Sequence, residues 1–170
     1  MKKIQIKTIV AGIAMLTAMS AAAVQQEITV TADIDQTVSF SQANGDPLPT
    51  SVKMGFTAGK GLTAYKQDVK LWSNAVSKDL QVSLGNAPQL TDTNGQNAVP
   101  LVVSLNGTTL STAVSKFAYA TIFPGGITNG SISMPLVISQ KDAAQAAVAG
   151  RYSGMVSLIL TQATTTGAGS

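Results

Sequence analysis

Beyond its first two dozen residues the chain alternates apolar and polar side chains over short runs. Ile28, Val30, Ala32 and Ile34 alternate with Glu27, Thr29, Thr31 and Asp33, and Val52, Met54 and Phe56 alternate with Lys53 and Gly55. Tyr65, Gln67, Val69 and Leu71 alternate with Lys66, Asp68, Lys70 and Trp72; Leu80, Val82 and Leu84 follow, then Val99, Leu101, Val103 and Leu105. Successive side chains of a strand point to opposite faces, so each run predicts a strand with one face in a core and one in water. Turn-forming residues separate the runs: Asn44-Gly45-Asp46-Pro47, Gly59-Lys60-Gly61, Asn94-Gly95 and Pro124-Gly125-Gly126. Asn106-Gly107, between Leu105 and Leu110, predicts a hairpin with a type I′ turn, whose two central residues both need positive φ. With no sustained helical period, the pattern predicts an all-β chain folded as an antiparallel sandwich or barrel.

Three segments depart from this pattern. Gln140 to Ala149 is alanine-rich and stops at Gly150, which predicts a short helix. It is shorter than the roughly 12 to 15 residues an isolated helix needs, so it reads as a crossing between sheets before a partner-binding helix. Pro135 interrupts the run from Ile132 to Ile138 and predicts an edge strand or a bulge, because proline gives no donor to a ladder. Thr164 to Ser170 is small and polar and reads as a mobile tail.

The N-terminus carries a different signal. A basic start (Lys2, Lys3, Lys7), an apolar stretch from Ile9 to Met19 and a small-residue end at Ala21-Ala22-Ala23 follow the order of a secretory signal peptide. The apolar stretch is about 11 residues, short of the roughly 20 that cross a bilayer. Residues 1–23 are therefore expected to be removed, leaving Val24 as the first residue. Charge changes with this step: the full chain has 11 basic and 8 acidic residues and a net charge of +3. Three of the lysines leave with the signal, which brings the remainder to neutrality. A basic stripe for nucleic acid or an anionic membrane is then missing.

Composition removes most catalytic chemistry as well. The chain has no His and no Cys, so an imidazole base, a thiolate nucleophile, a disulfide and the usual zinc ligands are all excluded. Its acidic residues are scattered singly, apart from Asp33 and Asp35. No acid, base and nucleophile constellation is present, which points away from an enzyme and from any cofactor or metal.

Both ends of the mature chain carry strand-like segments of particular character. At the start stands Val24-Gln25-Gln26-Glu27-Ile28-Thr29-Val30-Thr31-Ala32. At the end stands Gly150-Arg151-Tyr152-Ser153-Gly154-Met155-Val156-Ser157-Leu158-Ile159-Leu160-Thr161, in which Tyr152, Gly154, Val156, Leu158 and Leu160 fall on one face. With these ends, and with the internal stretches from Ala43 to Val52 and from Ala87 to Asp92, the exported chain resembles the major pilins of the chaperone-usher class. The resemblance spans the mature chain and is strongest to the group containing colonisation factor antigen fimbriae and cable pili. It departs from that group where Gln36, in place of proline, follows Asp35.

The resemblance implies an immunoglobulin-like sandwich lacking its last strand, completed by the N-terminal strand of the neighbouring subunit. On that carry-over residues 24–36 are a donor-strand extension and 37–170 the pilin domain. Ile28, Val30, Ala32 and Ile34 are then the inserted side chains, and Tyr152, Gly154, Val156, Leu158 and Leu160 belong to the acceptor groove. Implied partners are further copies of the chain in a head-to-tail homopolymer, a periplasmic chaperone, an outer-membrane usher and a minor tip adhesin. The implied location is a fimbrium on the cell surface.

Residue pattern alone leaves a competing reading open, a secreted monomeric sandwich that binds host carbohydrate or protein, its first strand belonging to its own sheet. Trp72 would then be a sugar-stacking platform, although a lone aromatic in a strand is more often a half-buried anchor. Asp33 and Asp35 lack the further oxygen ligands a cation needs. Asn106-Gly107-Thr108 matches a glycosylation triplet that the hairpin already explains.

Overall fold

The computed structural model describes residues 38–142 and 148–166. In chain order the elements are β1 (Val38–Gln42), β2 (Phe56–Thr57), β3 (Gly61–Leu62), β4 (Tyr65–Ser73), β5 (Lys78–Leu84) and β6 (Gln89–Asp92). They continue with β7 (Val99–Leu105), β8 (Thr108–Leu110), β9 (Ser115–Phe117), a helical turn α1 (Tyr119–Ile122), β10 (Met134–Gln140), β11 (Tyr152–Ser153) and β12 (Leu158–Thr166).

One sheet runs β1-β4-β10-β7-β6-β11, with β8 also beside β7; the other runs β12-β5-β9, and β2 and β3 form a small separate hairpin. The alternation in sequence becomes the division between core and solvent. In β7, Val99, Leu101, Val103 and Leu105 are buried while Pro100, Val102 and Ser104 are half-buried. These side chains meet Val69 and Leu71 of β4, Leu80, Val82 and Leu84 of β5, and Met134, Leu136 and Ile138 of β10 in one core between the sheets. Each large aliphatic side chain so buried contributes roughly 1.5 to 3 kcal/mol. The architecture is an antiparallel sandwich, one of the two forms the pattern predicts, and of the immunoglobulin-like kind the resemblance implies. At the predicted hairpin Leu105 pairs with Thr108 across Asn106 and Gly107, whose φ values of 50° and 79° form the type I′ turn.

Several expectations are corrected. The strand with Pro135 is neither an edge nor bulged: β10 lies between β4 and β7 in regular register. Pro135 sits near its start and its carbonyl accepts from the Asn106 N–H at 2.9 Å. Its nitrogen, on the same side as that carbonyl, therefore faces the β7–β8 turn, just beyond the first β10–β7 pair at Leu136 and Leu105. The run Val52-Met54-Phe56 does not form one strand; only Phe56–Thr57 pairs, and Val52 and Phe56 are exposed. Thr164 to Thr166, expected in a mobile tail, belong to β12, and residues 167–170 lie outside the described residues. The anticipated helix after Gln140 falls mostly on residues 143–147, outside the described residues, as does the segment from Met1 to Thr37.

Trp72 is an anchor across elements. Its Nε1 donates to Ser41 Oγ of β1 at 2.8 Å. Its ring covers Gly130, where φ is +69° and a Cβ would approach the indole to 3.0 Å.

The turn α1 was not foreseen. Ala118 supplies no side-chain cap; instead buried Asp79 of β5 accepts from the Tyr119 N–H at 2.7 Å and pairs with Lys116 Nζ at 2.9 Å. The Tyr119 hydrogen bond first, then Lys116, hold the Asp79 carboxyl below its ordinary range. A depressed carboxylate pKa stabilises the fold fully above the unfolded value near 4, and that contribution disappears as pH falls through the folded value. Asp79→Asn should lower stability by about 2 kcal/mol at pH 7. Guanidinium unfolding at pH 7 and pH 3 should show the gap between wild type and variant narrowing in acid.

Candidate functional site

One side of the core is incompletely covered. Between residues 48–56 and residues 148–158 lies an open groove of about 1290 Å³. Its floor is made of core side chains seen from outside, among them Leu62, Tyr65, Leu101, Leu136 and Ile138. One wall carries Leu48, Val52, Met54 and Phe56; the other carries Tyr152, Gly154, Met155, Val156 and Leu158.

Each wall follows from its local sequence. Pro47 and Pro49 have no N–H to give, and the backbone from Pro47 to Gly55 joins no ladder. It presents apolar side chains toward the groove without completing a sheet. On the opposite wall, residues 150–161 do not form the single strand that their alternation suggests. Tyr152 and Ser153 pair with Asp92 and Thr91 of β6, and Tyr152 Oη donates to the Val148 carbonyl at 2.8 Å, closing the preceding loop. Gly154 then passes so close to β6 that a Cβ there would overlap the Gln89 carbonyl. The Ser157 carbonyl accepts from the Gly85 N–H at 2.9 Å, and from Leu158 onward the chain runs antiparallel to β5. The Gly-x-Tyr-x-Gly pattern is thus a crossing from one sheet to the other.

Tyr152, Gly154, Val156 and Leu158 line the groove, whereas Leu160 lies farther along β12. Val156, Leu158 and Leu160 are half-buried against the core. Ile28, Val30, Ala32 and Ile34, with Asp33 and Asp35, lie outside the described residues. Sequence reasoning missed the wall from Leu48 to Phe56 as part of a site. Its signal was Pro47 and Pro49 just ahead of the run Val52-Met54-Phe56, residues that leave the backbone short of donors for a ladder.

The edge of β12 matters as much as the cavity. β12 pairs with β5 on one side, and among the described residues no strand pairs with the other. Met155 is 76% and Ile159 44% exposed beside it. Asp92, opposite Tyr152 in the β6–β11 pair, is already engaged: it accepts from the N–H groups of Asn94 (2.9 Å) and Gln96 (2.8 Å) and from Asn97 Nδ2 (2.7 Å). The Gln96 N–H first, then Asn97, hold its carboxyl below the ordinary range. Among the described residues no group of acidic side chains is arranged to hold a metal ion, and no helix is long and apolar enough to cross a membrane. An apolar trough beside unpaired backbone donors and acceptors is suited to an extended segment with alternate side chains inserted.

The chain is similar to known proteins over most of its length. Residues 24–161 match the model of the CS1 type fimbrial major subunit family. A CFA/I fimbrial subunit of Escherichia coli O78:H11 (strain H10407 / ETEC) is 39% identical over 153 residues, covering 86% of this chain and 90% of that protein. A CS1 fimbrial subunit of Escherichia coli is 31% identical over the same length and coverage. Among solved structures, the CooA pilin from enterotoxigenic Escherichia coli superposes with a TM-score of 0.67 at 26% identity, covering 75% of this chain and 88% of that one.

Proposed function

The chain belongs to the CS1 type fimbrial major subunit family, and we propose that it builds the shaft of an adhesive surface fimbrium by exchanging N-terminal strands between successive subunits. Residues 24–36 of one subunit lie in the groove of the next, along the open edge of β12, with Ile28, Val30, Ala32 and Ile34 directed inward. The observation that carries this reading is that, among the described residues, nothing covers the core beside the start of β12 and no strand pairs with that strand's second edge. Such an edge is normally blunted or covered, and a donor strand covers it.

The energetics suit a durable contact. Three large aliphatic side chains, buried at roughly 1.5 to 3 kcal/mol each, contribute on the order of 5 to 9 kcal/mol before backbone hydrogen bonds and ordering costs. Each subunit offers a strand at one place and a groove at another, so the contact is heterologous and propagates as an open fibre. Before assembly the same edge calls for a temporary cover, the role of a periplasmic chaperone; an outer-membrane usher and a tip adhesin complete the proposed pathway. The monomeric binding reading loses Trp72 as a sugar-stacking platform, since its indole is engaged by Ser41 and lies against Gly130.

Fimbriae sheared from cells that produce this chain test the reading. Without heating, the material should run as a ladder of subunit multiples that collapses to one band on boiling, and sequencing that band should begin at Val24. A monomer in the unheated lane would exclude polymerisation, and a band beginning at Met1 would exclude export through a cleaved signal.

A further inference from the structure

Apolar alternation alone does not fix where an inserted strand stops. A slip of two residues returns side chains to the same face, so Val30 takes the place of Ile28 and Ala32 that of Val30. Charge distinguishes these registers. Residues 24–36 contain Glu27, Asp33 and Asp35 and no basic residue. Asp33 and Asp35 share the face opposite Ile28, Val30, Ala32 and Ile34, so they stay on the outside of a seated strand.

The cations lining the groove are Lys53 and Arg151. Both are exposed, and neither takes part in a hydrogen bond or ion pair among the described residues. They stand on its two walls, and strand pairing links the segment after each to the region where the end of β10 adjoins the start of β7. Lys53 leads into β2, which pairs with β3, and the Leu62 N–H of β3 donates to Gln140 at the end of β10. Arg151 precedes β11, which pairs with β6, and β6 pairs with Val99 and Pro100 at the start of β7. The end of β10 and the start of β7 adjoin, with Gln140 opposite Leu101.

We infer that Asp33 and Asp35 of the donor strand dock against Lys53 and Arg151 of a second copy of this chain, and that this ionic contact sets the register of insertion. The inference rests on the proposed strand exchange. A two-residue slip moves each carboxylate by about 7 Å, so one of the pair takes the other's place while the second is carried away from the cations; the slipped strand keeps only one of the two ionic contacts although its apolar side chains still face inward. Because the contact lies on the rim, it acts through encounter and register more than through final affinity, and it weakens as salt rises.

The test uses the full mature chain refolded from denaturant, with assembly followed as heat-dissociable multimers at 50 mM and 1 M NaCl. Lys53→Glu with Arg151→Glu, and separately Asp33→Lys with Asp35→Lys, should each slow assembly by about tenfold at low salt, narrowing to under about threefold at 1 M. The chain carrying all four substitutions, with the signs exchanged, should return to within about threefold of wild type. Wild-type rates for the reversals at low salt, or no recovery in the fourfold variant, would overturn the ionic contact. Should the groove reversal fail to fold, the donor reversal decides: salt-sensitive slowing supports the contact and its absence overturns it. Val30→Asp runs alongside. If it assembles normally, strand exchange itself fails; if it is blocked while the charge reversals have no effect, only the register contact fails.

Discussion

Val30→Asp or Ile34→Asp in the N-terminal segment is expected to abolish polymerisation while leaving the sandwich able to fold. A carboxylate entering an apolar groove without a partner loses its hydration and gains nothing in return, at a cost of several kcal/mol. That cost is comparable with the whole apolar contribution of the strand. In the free extension the same side chain faces water and costs nothing. Thr31→Asp lies on the opposite face by the period-two pattern and should polymerise nearly as wild type. The check is the unheated gel ladder of each variant, together with recovery of folded protein when a peptide of residues 24–36 is supplied. Normal filaments from Val30→Asp would remove these residues from the donor role. Failure to fold even with the peptide would make the segment an internal strand of its own domain.

Moving residues 24–35 from the N-terminus to a position after β12, through a short glycine- and asparagine-containing turn, should convert the subunit into a stable monomer. The groove and the free edge of β12 are then filled from within the same chain, at an effective concentration in the millimolar range. With its donor removed from the N-terminus, the chain also has nothing to offer a neighbour. Against a chain that simply lacks residues 24–35, the rearranged one should melt at least about 10 °C higher and elute as a single monomeric species. Equal melting and equal monodispersity in the two would mean that the groove needs no occupant.

What could be read from the sequence is what depends on neighbours one or two residues away. Alternation located β4, β5 and β7 because burial of one sheet face is itself a period-two property, and Asn106-Gly107 fixed its turn through two local φ angles. What escaped depends on distant partners. The turn α1 takes its cap from Asp79, forty residues earlier. Pro135 is accommodated because β7 turns away beside it, which no local rule about proline reveals. The stretch from Tyr152 to Leu160 keeps one alternation while changing sheets, since side-chain parity carries no record of which strand lies alongside. Only Gly154 hinted at the crossing, and a glycine in a strand has several causes. The groove was expected through resemblance, with one wall named; the other is built from a run beginning at Pro47 and Pro49 whose side chains have too little of their own fold to cover.

The ladder between β12 and β5 has a mechanical meaning. In a fibre joined as proposed, tension passes from the inserted strand into β12 along its length. β12 is held to β5 in unbroken register from Leu158 opposite Leu84 to Gln162 opposite Leu80, and after a shift in register again at Thr166 opposite Lys78, and its hydrogen bonds lie across the direction of pull. Loaded this way the bonds are strained together in shear, whereas a pull across the strand would part them one after another like a zip. A shaft of such subunits resists stretching at each joint with the unbroken part of that ladder acting at once, a geometry suited to an appendage under flow.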